Sequence, residues 1–350
     1  MANRILITGG SGYLGGTLLA RWKEANLPSY EKLYALVRTE EQGKAVEQYG
    51  AEALNINLEA PESIKKAVLD NKINIVFYLI DPRNWEHQVT FIEALSELKK
   101  QTGQEVHFLH TSGAKLFSEH AGAPTDAPLL DTDPKLYDIQ KSQRAPFPLM
   151  QSAVEANNVV IENAEGKGVR SYIFVPCIVY GKGEGFGNPI SIQTVAIVKA
   201  AIKVRQVYKV DAGRPIWPVC HVIDNTTLYI ELLRAILSGK EPGYGKSGYY
   251  LASPGSVAWD DIYLSMAKAL AKSKYIDDDE VHVADDGALQ KMGDALECPK
   301  DFVPVQLGGL CTFTAVHGKQ IGWKPQFAAE HIIETADAEV ELILQHLKES

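Results

Sequence analysis

Gly9, Gly10, Gly12 and Gly15 fall between an apolar run, Ile5-Leu6-Ile7, and a helix-like segment that begins Gly16-Thr17-Leu18-Leu19. Two spacings are satisfied together, GxGxxG through Gly10, Gly12 and Gly15, and GxxGxxG through Gly9, Gly12 and Gly15. Such spacing suits phosphate chemistry. A turn leaving a parallel strand needs backbone angles that side chains resist, and a pyrophosphate reaches the backbone only where no Cβ intervenes. The first-turn amides and the helix dipole then face the anion. An ordinary tight turn would not need a strand before it and a helix after it, so the residues point to a dinucleotide site at Gly9, Gly12, Tyr13, Leu14 and Gly15.

The elements that must position this turn follow in alternation. Strand-like segments at 32–38, 52–56, 73–80 and 106–111 are separated by helix-like segments at 40–49, from Pro61 onward, and at 86–100. A helix over 149–165 then feeds a strand at 170–176. This predicts an α/β fold, a Rossmann-type doubly wound parallel sheet with right-handed crossovers, and a smaller mixed C-terminal substrate lobe. We expect residues 1–180, completed by about 215–252, to form the nucleotide domain, and 181–214 with 253–350 to form the lobe. Within these later segments the sequence suggests a glycine-rich loop at 181–188, helices at 192–207 and 224–237, and a loop at 213–218. The acidic run 277–280 reads as a solvated helix start.

The bulk properties narrow the function. A chain of 350 residues that is 45% hydrophobic can bury a large core. Its formal charge of -9 argues against a nucleic-acid partner. Cys177, Cys220, Cys298 and Cys311 lack CxxC spacing, and no HExxH or similar metal pattern occurs, so reduced thiols and no metal are expected. The first strand starts close to Met1 and no apolar run is long enough to cross a bilayer, which favours a cytoplasmic protein.

At the end of the second strand a carboxylate would bind a ribose 2′-hydroxyl, whereas an arginine there accommodates a 2′-phosphate. This chain places Arg38 at that point, followed by Glu40 and Glu41. The planar donor fork of arginine favours NADP over NAD.

Beyond the turn, the order of motifs resembles the extended short-chain dehydrogenase/reductase family of the NAD-dependent epimerase/dehydratase type. Thr8-Gly9-Gly10-Ser11-Gly12-Tyr13-Leu14-Gly15 is similar to TGxxGxxG, and Asn57-Leu58 stands where the family has Asp-Leu against the adenine. Tyr78-Leu79-Ile80 replaces a His-Leu-Ala strand end beside the cofactor, and Thr111-Ser112-Gly113 resembles a fifth-strand Ser-Ser motif. Val175-Pro176-Cys177-Ile178-Val179-Tyr180-Gly181 resembles the Arg-Pro-x-x-Val-Tyr-Gly segment near the nicotinamide. His221-Val222-Ile223-Asp224 and Ile321-Gly322-Trp323-Lys324-Pro325 match late family motifs. The resemblance thus adds Asn57, Leu58, Ile80, Thr111, Pro176 and Val179 to the expected cofactor contacts.

It also implies a catalytic set of Ser112, Tyr137 and Lys141. In the family, the lysine ammonium lowers the pKa of the YxxxK tyrosine, which then shuttles a proton to a carbonyl oxygen oriented by the serine. Tyr137-Asp138-Ile139-Gln140-Lys141 fits the pattern, yet Pro146 and Pro148 interrupt the long helix that should follow it. Counting back from Val175-Pro176 gives a second alignment, in which Leu149 and Ala153 occupy the tyrosine and lysine positions. Both alignments stand on the sequence. Lys115 is a spare lysine that reads more simply as solvated, and His107, His110 and His221 read as structural.

For the substrate, Tyr180, Phe186, Asn188 and Trp217 are candidate walls, and Lys182, Lys203, Arg205 and Arg214 would serve a sugar diphosphate but show no pattern. The reading is an NADP-dependent oxidoreductase moving hydride to or from a small carbonyl or alcohol. An epimerase/dehydratase, or a non-catalytic NADP-binding regulator that has lost the Tyr/Lys pair, are the alternatives, and the oligomeric state, including a homodimer, is left open.

Overall fold

The computed structural model describes residues 2–349. Seven parallel strands form the central sheet: β1 (Arg4–Ile7), β2 (Lys32–Leu36), β3 (Glu52–Leu54), β4 (Ile75–Tyr78), β5 (His107–Thr111), β7 (Arg170–Pro176) and β11 (Tyr249–Ala252), with β6 (Leu129–Leu130) lying outside it. Their order is β11-β7-β5-β4-β1-β2-β3. Leu6 of β1 pairs with Tyr34 of β2 on one side and Val76 of β4 on the other. A strand covered on both faces can be apolar throughout, and all four β4 residues are buried.

The crossovers are helical. They comprise α1 (Tyr13–Ala20), α2 (Glu40–Glu47), α3 (Pro61–Asp70), α4 (Glu86–Thr102), α5 (Leu136–Ser142) and α6 (Pro148–Gly166). Thr39 caps α2 by accepting a hydrogen bond from Gln42, while Pro61 and Pro148 occupy the first turns of α3 and α6, where a missing N–H costs nothing. The left-handed Gly103, at φ 70°, closes α4.

A second, smaller layer follows. Strand β8 (Ile178–Tyr180) pairs in parallel with β10 (Ile216–His221), and β12 (Gly255–Ala258) adds to β10 antiparallel. Around them lie α7 (Gln193–Val204), β9 (Val207–Lys209) and α9 (Trp259–Lys272), while α8 (Val222–Leu237) packs back onto α1. Trp217, Trp259 and Tyr263 are buried there, and Trp259 Nε1 donates to the Gly309 carbonyl at 3.1 Å.

Two buried carboxylates tie distant segments together. Asp131 accepts from the amides of Leu251, Val316 and His317, and Asp224 accepts from those of Gln326 and Phe327.

The structure differs from expectation at two segments. Residues 213–218 are not all loop, because Ile216-Trp217-Pro218 belong to β10, whose ladder with β12 overrides the local turn signal. The acidic run 277–280 starts no helix. It leads into β13 (Val281–Val283), paired with β9, and its carboxylates bind neighbouring side chains, Asp277 to Arg205 and Asp278 to Gln206.

Candidate active site

Strands β1, β4, β5 and β7 end on one cavity of about 440 Å³. Its near wall is the glycine turn. Gly9 takes φ +71°, and a Cβ on Gly15 would lie 2.3 Å from the Gly9 carbonyl oxygen, so the turn closes only with glycine at that position. Gly12 precedes helix α1 without a side-chain cap, and no acidic residue lies in the first turn, so its first-turn amides have no built-in anion. Gly9, Gly12, Tyr13, Leu14 and Gly15 all line this space, and the cradle fits a dinucleotide pyrophosphate.

The turn is braced from two sides. Thr8 Oγ1 accepts from the Leu79 amide at 2.8 Å, fixing the end of β4 beside it. The glycine-rich loop 181–188 lies along α1: Tyr13 donates to the Gly181 carbonyl at 2.6 Å, Asn188 N donates to the Ser11 carbonyl at 3.0 Å, and Arg21 makes a two-point pair with Glu184.

Of the remaining cofactor candidates, Ile80, Thr111, Pro176 and Val179 line the cavity. Arg38 lies outside it, exposed just beyond β2, with its backbone amide held by Gln42 Oε1 at 2.9 Å and no ion pair at its guanidinium among the described residues. Asn57 is exposed as well, its Oδ1 accepting from the Glu59 amide, and neither it nor Leu58 reaches the cavity.

The expected catalytic set is divided. Ser112 lines the cavity, is 7% exposed, and its Oγ has no hydrogen-bond partner among the described residues. Tyr137 and Lys141 are not brought to it. They sit on α5, where Tyr137 donates to Glu162 Oε1 at 2.5 Å and Lys141 pairs with the same carboxylate. Burial, followed by the bond to Glu162, drives the Tyr137 pKa well above its ordinary value, the opposite of what proton shuttling near neutrality requires.

The reason is local. Residues 143–147 leave the helical path before Pro148 restarts it as α6, and Gln143 anchors the break by donating to the carbonyls of Leu116 and Ala121. Leu149, Met150 and Ala153 of the first turns of α6 face the cavity instead. Leu149 and Ala153, four apart, present an apolar stripe where the second alignment set the tyrosine and lysine.

Among the proposed walls, Asn188 and Trp217 line the cavity, whereas Phe186 stacks on Tyr49 and Tyr180 packs edge-on to His221. Arg205 and Arg214 are spent on surface pairs with Asp277 and Asp261, and Lys182 and Lys203 also lie outside the lining. Sequence reasoning missed several contributors: Pro82 and Arg83 after β4, and Ser191, Ile192 and Gln193 at the start of α7. Only their place in the tertiary structure marks them.

Lys115 is a further correction. It is not a freely solvated lysine but a cavity-lining one, with its ammonium 3.4 Å from the Gln306 carbonyl, and desolvation lowers its pKa to about 8.

The histidines are structural in position. His110 is fully buried with no partner for either ring nitrogen among the described residues, His107 Nδ1 meets the Tyr172 hydroxyl at 3.0 Å, and His221 caps α8 by accepting from the Ile223 amide. Asp278, Glu280 and His282 bring donor atoms together on the surface, all of them exposed.

Three comparisons place this architecture. The sequence is 24% identical over 255 residues to a 4-hydroxy-2-methyl-3-oxo-4-farnesyl-3,4-dihydroquinoline-1-oxide ketoreductase of Stigmatella aurantiaca, covering 71% of this chain and 67% of that protein. The fold is similar to UDP-glucose 4-epimerase from Thermotoga maritima, with a TM-score of 0.62 and 15% identity over 98% of this chain and 99% of that one. It is also similar to vestitone reductase from alfalfa, with a TM-score of 0.61 and 17% identity over 99% of each chain. The match to the family itself runs over residues 5–244, and with the seven-stranded sheet and glycine cradle it establishes that this chain belongs to the NAD dependent epimerase/dehydratase family.

Proposed function

We propose that the protein is an NADP-dependent oxidoreductase that acts on the carbonyl of a small apolar compound, or on the matching alcohol. The observation that carries this reading is that the glycine cradle and the unpartnered Ser112 hydroxyl share one cavity whose rim is aliphatic. Ile80, Leu149 and Ile192 line it while remaining 44%, 46% and 72% exposed, an arrangement that favours an apolar ligand over a sugar diphosphate. The ketoreductase relative, named for a farnesylated quinoline substrate, supports the same substrate class.

In this reading Gly9, Gly12 and Gly15 with the first turn of α1 hold the pyrophosphate, and Arg38 meets a 2′-phosphate. The bound dinucleotide supplies the hydride chemistry. Ser112 donates a hydrogen bond to the substrate oxygen, which takes the proton that completes reduction from solvent water at the cavity's open rim, while Leu149, Ala153 and Trp217 cover the apolar part of the substrate. Tyr137 and Lys141 support α6 through Glu162 and take no part.

The test is titration of the purified protein with NADPH and NADH, followed by turnover assays against aliphatic and aromatic ketones. NADPH binding with ketone-dependent oxidation is expected; no NADPH binding at all would overturn the reading. A second reading, a nucleotide-binding protein without catalysis, is favoured by Leu149 and Ala153 at the tyrosine and lysine positions. Tight NADPH binding with no turnover on any carbonyl would select it.

A further inference from the structure

The cavity reverses the charge of the molecule around it. The chain carries a formal charge of -9, yet among the described residues no aspartate or glutamate lines the cavity, and its two charged contributors are Arg83 and Lys115. Arg83 is committed in part to Asp81, with Nε 3.2 Å from Oδ1.

Lys115 has no such partner. Among the described residues its ammonium makes one hydrogen bond, the long contact to the Gln306 carbonyl, and no ion pair. An ammonium carries three donors, and on the half-buried Lys115 the protein takes one of them, which leaves two for a ligand in the cavity. The ionisable groups around it do not compensate. Cys298 is next to it, and Cys177 and Cys311 lie nearby, the former in the cavity lining and the latter against the carbonyls of Ala114 and Phe117; burial raises the pKa of all three thiols, keeping them neutral.

Lys115 also stands apart from the pyrophosphate cradle. It follows β5, which is separated from β1 by β4, so strand spacing alone puts the two sites roughly 10 Å apart. Ser112, three residues earlier in the chain, lines the same cavity, and its hydroxyl is the donor assigned above to the substrate's carbonyl oxygen. A cation without a counter-charge and an aliphatic rim in one cavity suit an amphiphilic ligand.

We infer that Lys115 forms a subsite for a carboxylate, so that the ligand of this cavity is an apolar molecule bearing one carboxylate group. The inference rests on the oxidoreductase reading only for the nature of the reaction and names the substrate class within it. An ammonium–carboxylate hydrogen bond in a partly desolvated site replaces the missing partners of Lys115, and the aliphatic rim takes the chain.

The probe is octanoate, compared with octanamide of the same length, by isothermal titration calorimetry on the full chain with and without NADPH. Octanoate is expected to bind at least about tenfold more tightly than octanamide near pH 7. That preference should vanish in Lys115→Met, survive in Lys115→Arg, and fade in the unmutated protein as the pH rises beyond about 8, where the ammonium is lost.

Equal binding of the two probes, or an undiminished preference in Lys115→Met, overturns the subsite. If Lys115→Met fails to fold, the pH profile and Lys115→Arg decide the matter. NADPH titration of the same samples keeps the two readings separate. Nucleotide binding without an octanoate preference removes the subsite alone, whereas octanoate preference without nucleotide binding removes the oxidoreductase reading and leaves the carboxylate site.

Discussion

Tyr137 donates its hydroxyl proton to Glu162, which also receives the ammonium of Lys141, so the YxxxK pair closes on a carboxylate of α6 and not on Ser112. Tyr137→Phe should therefore leave NADPH affinity and any carbonyl turnover within about twofold of the parent. Thermal unfolding should register the loss of the contact as about 1 kcal/mol. A fall in turnover by a hundredfold or more, with folding intact, would return Tyr137 to the catalytic machinery.

The second alignment makes the converse prediction. Leu149 and Ala153 face the cavity at the positions where tyrosine and lysine would act, so Leu149→Tyr combined with Ala153→Lys should install the proton shuttle. The double variant is expected to raise kcat on an apolar ketone about tenfold or more, read by NADPH oxidation. No gain, with NADPH binding preserved, would show that these positions do not address the reacting carbonyl.

At the cradle, Gly15→Ala would set a methyl carbon 2.3 Å from the Gly9 carbonyl oxygen. The turn has to open, and nucleotide affinity should fall at least about a hundredfold, because the amides proposed to hold the pyrophosphate move with it. Fluorescence titration with NADPH checks this, and circular dichroism establishes that the sheet survives.

Arg38 should discriminate between the two nucleotides without affecting the rest of the site. Arg38→Ala is expected to weaken NADPH binding by about tenfold or more and leave NADH binding nearly unchanged, as befits a charge-assisted contact to a phosphate that NADH lacks. Equal losses for both nucleotides would remove Arg38 from 2′-phosphate recognition.

His107, His110 and His221 should weaken the fold in acid. Desolvation lowers the pKa of His107 to about 3, and of His110 and His221 to about 4, from an ordinary 6.5. Between these values and 6.5 the unfolded chain binds more protons than the folded one, so stability declines as the pH falls from about 6.5 to about 4. Denaturant unfolding across that window should show the loss. His110→Phe, which replaces an imidazole with no hydrogen-bond partner, should stabilise the protein near pH 5 by about 1 kcal/mol or more.

The glycine spacing, the alternation of apolar strands with helices, and the place of Ser112 after a central strand were all legible in the sequence, because backbone sterics and side-chain periodicity act over a few residues. The break at Pro146 and Pro148 was legible for the same reason. Its consequence was not. Whether Tyr137 or Leu149 faces the cavity depends on where the break falls, and Gln143 holds it by donating to the Leu116 and Ala121 carbonyls, contacts that local sequence does not encode. Likewise, Lys115 read as an ordinary exposed lysine until β5, α6 and the helix Val303–Leu307 were folded around it, since burial and the absence of a counter-charge are properties of the assembled core. The strand–helix alternation and the glycine turn follow from the order of neighbouring residues, whereas which side chains meet inside the cavity depends on packing between segments far apart in the chain.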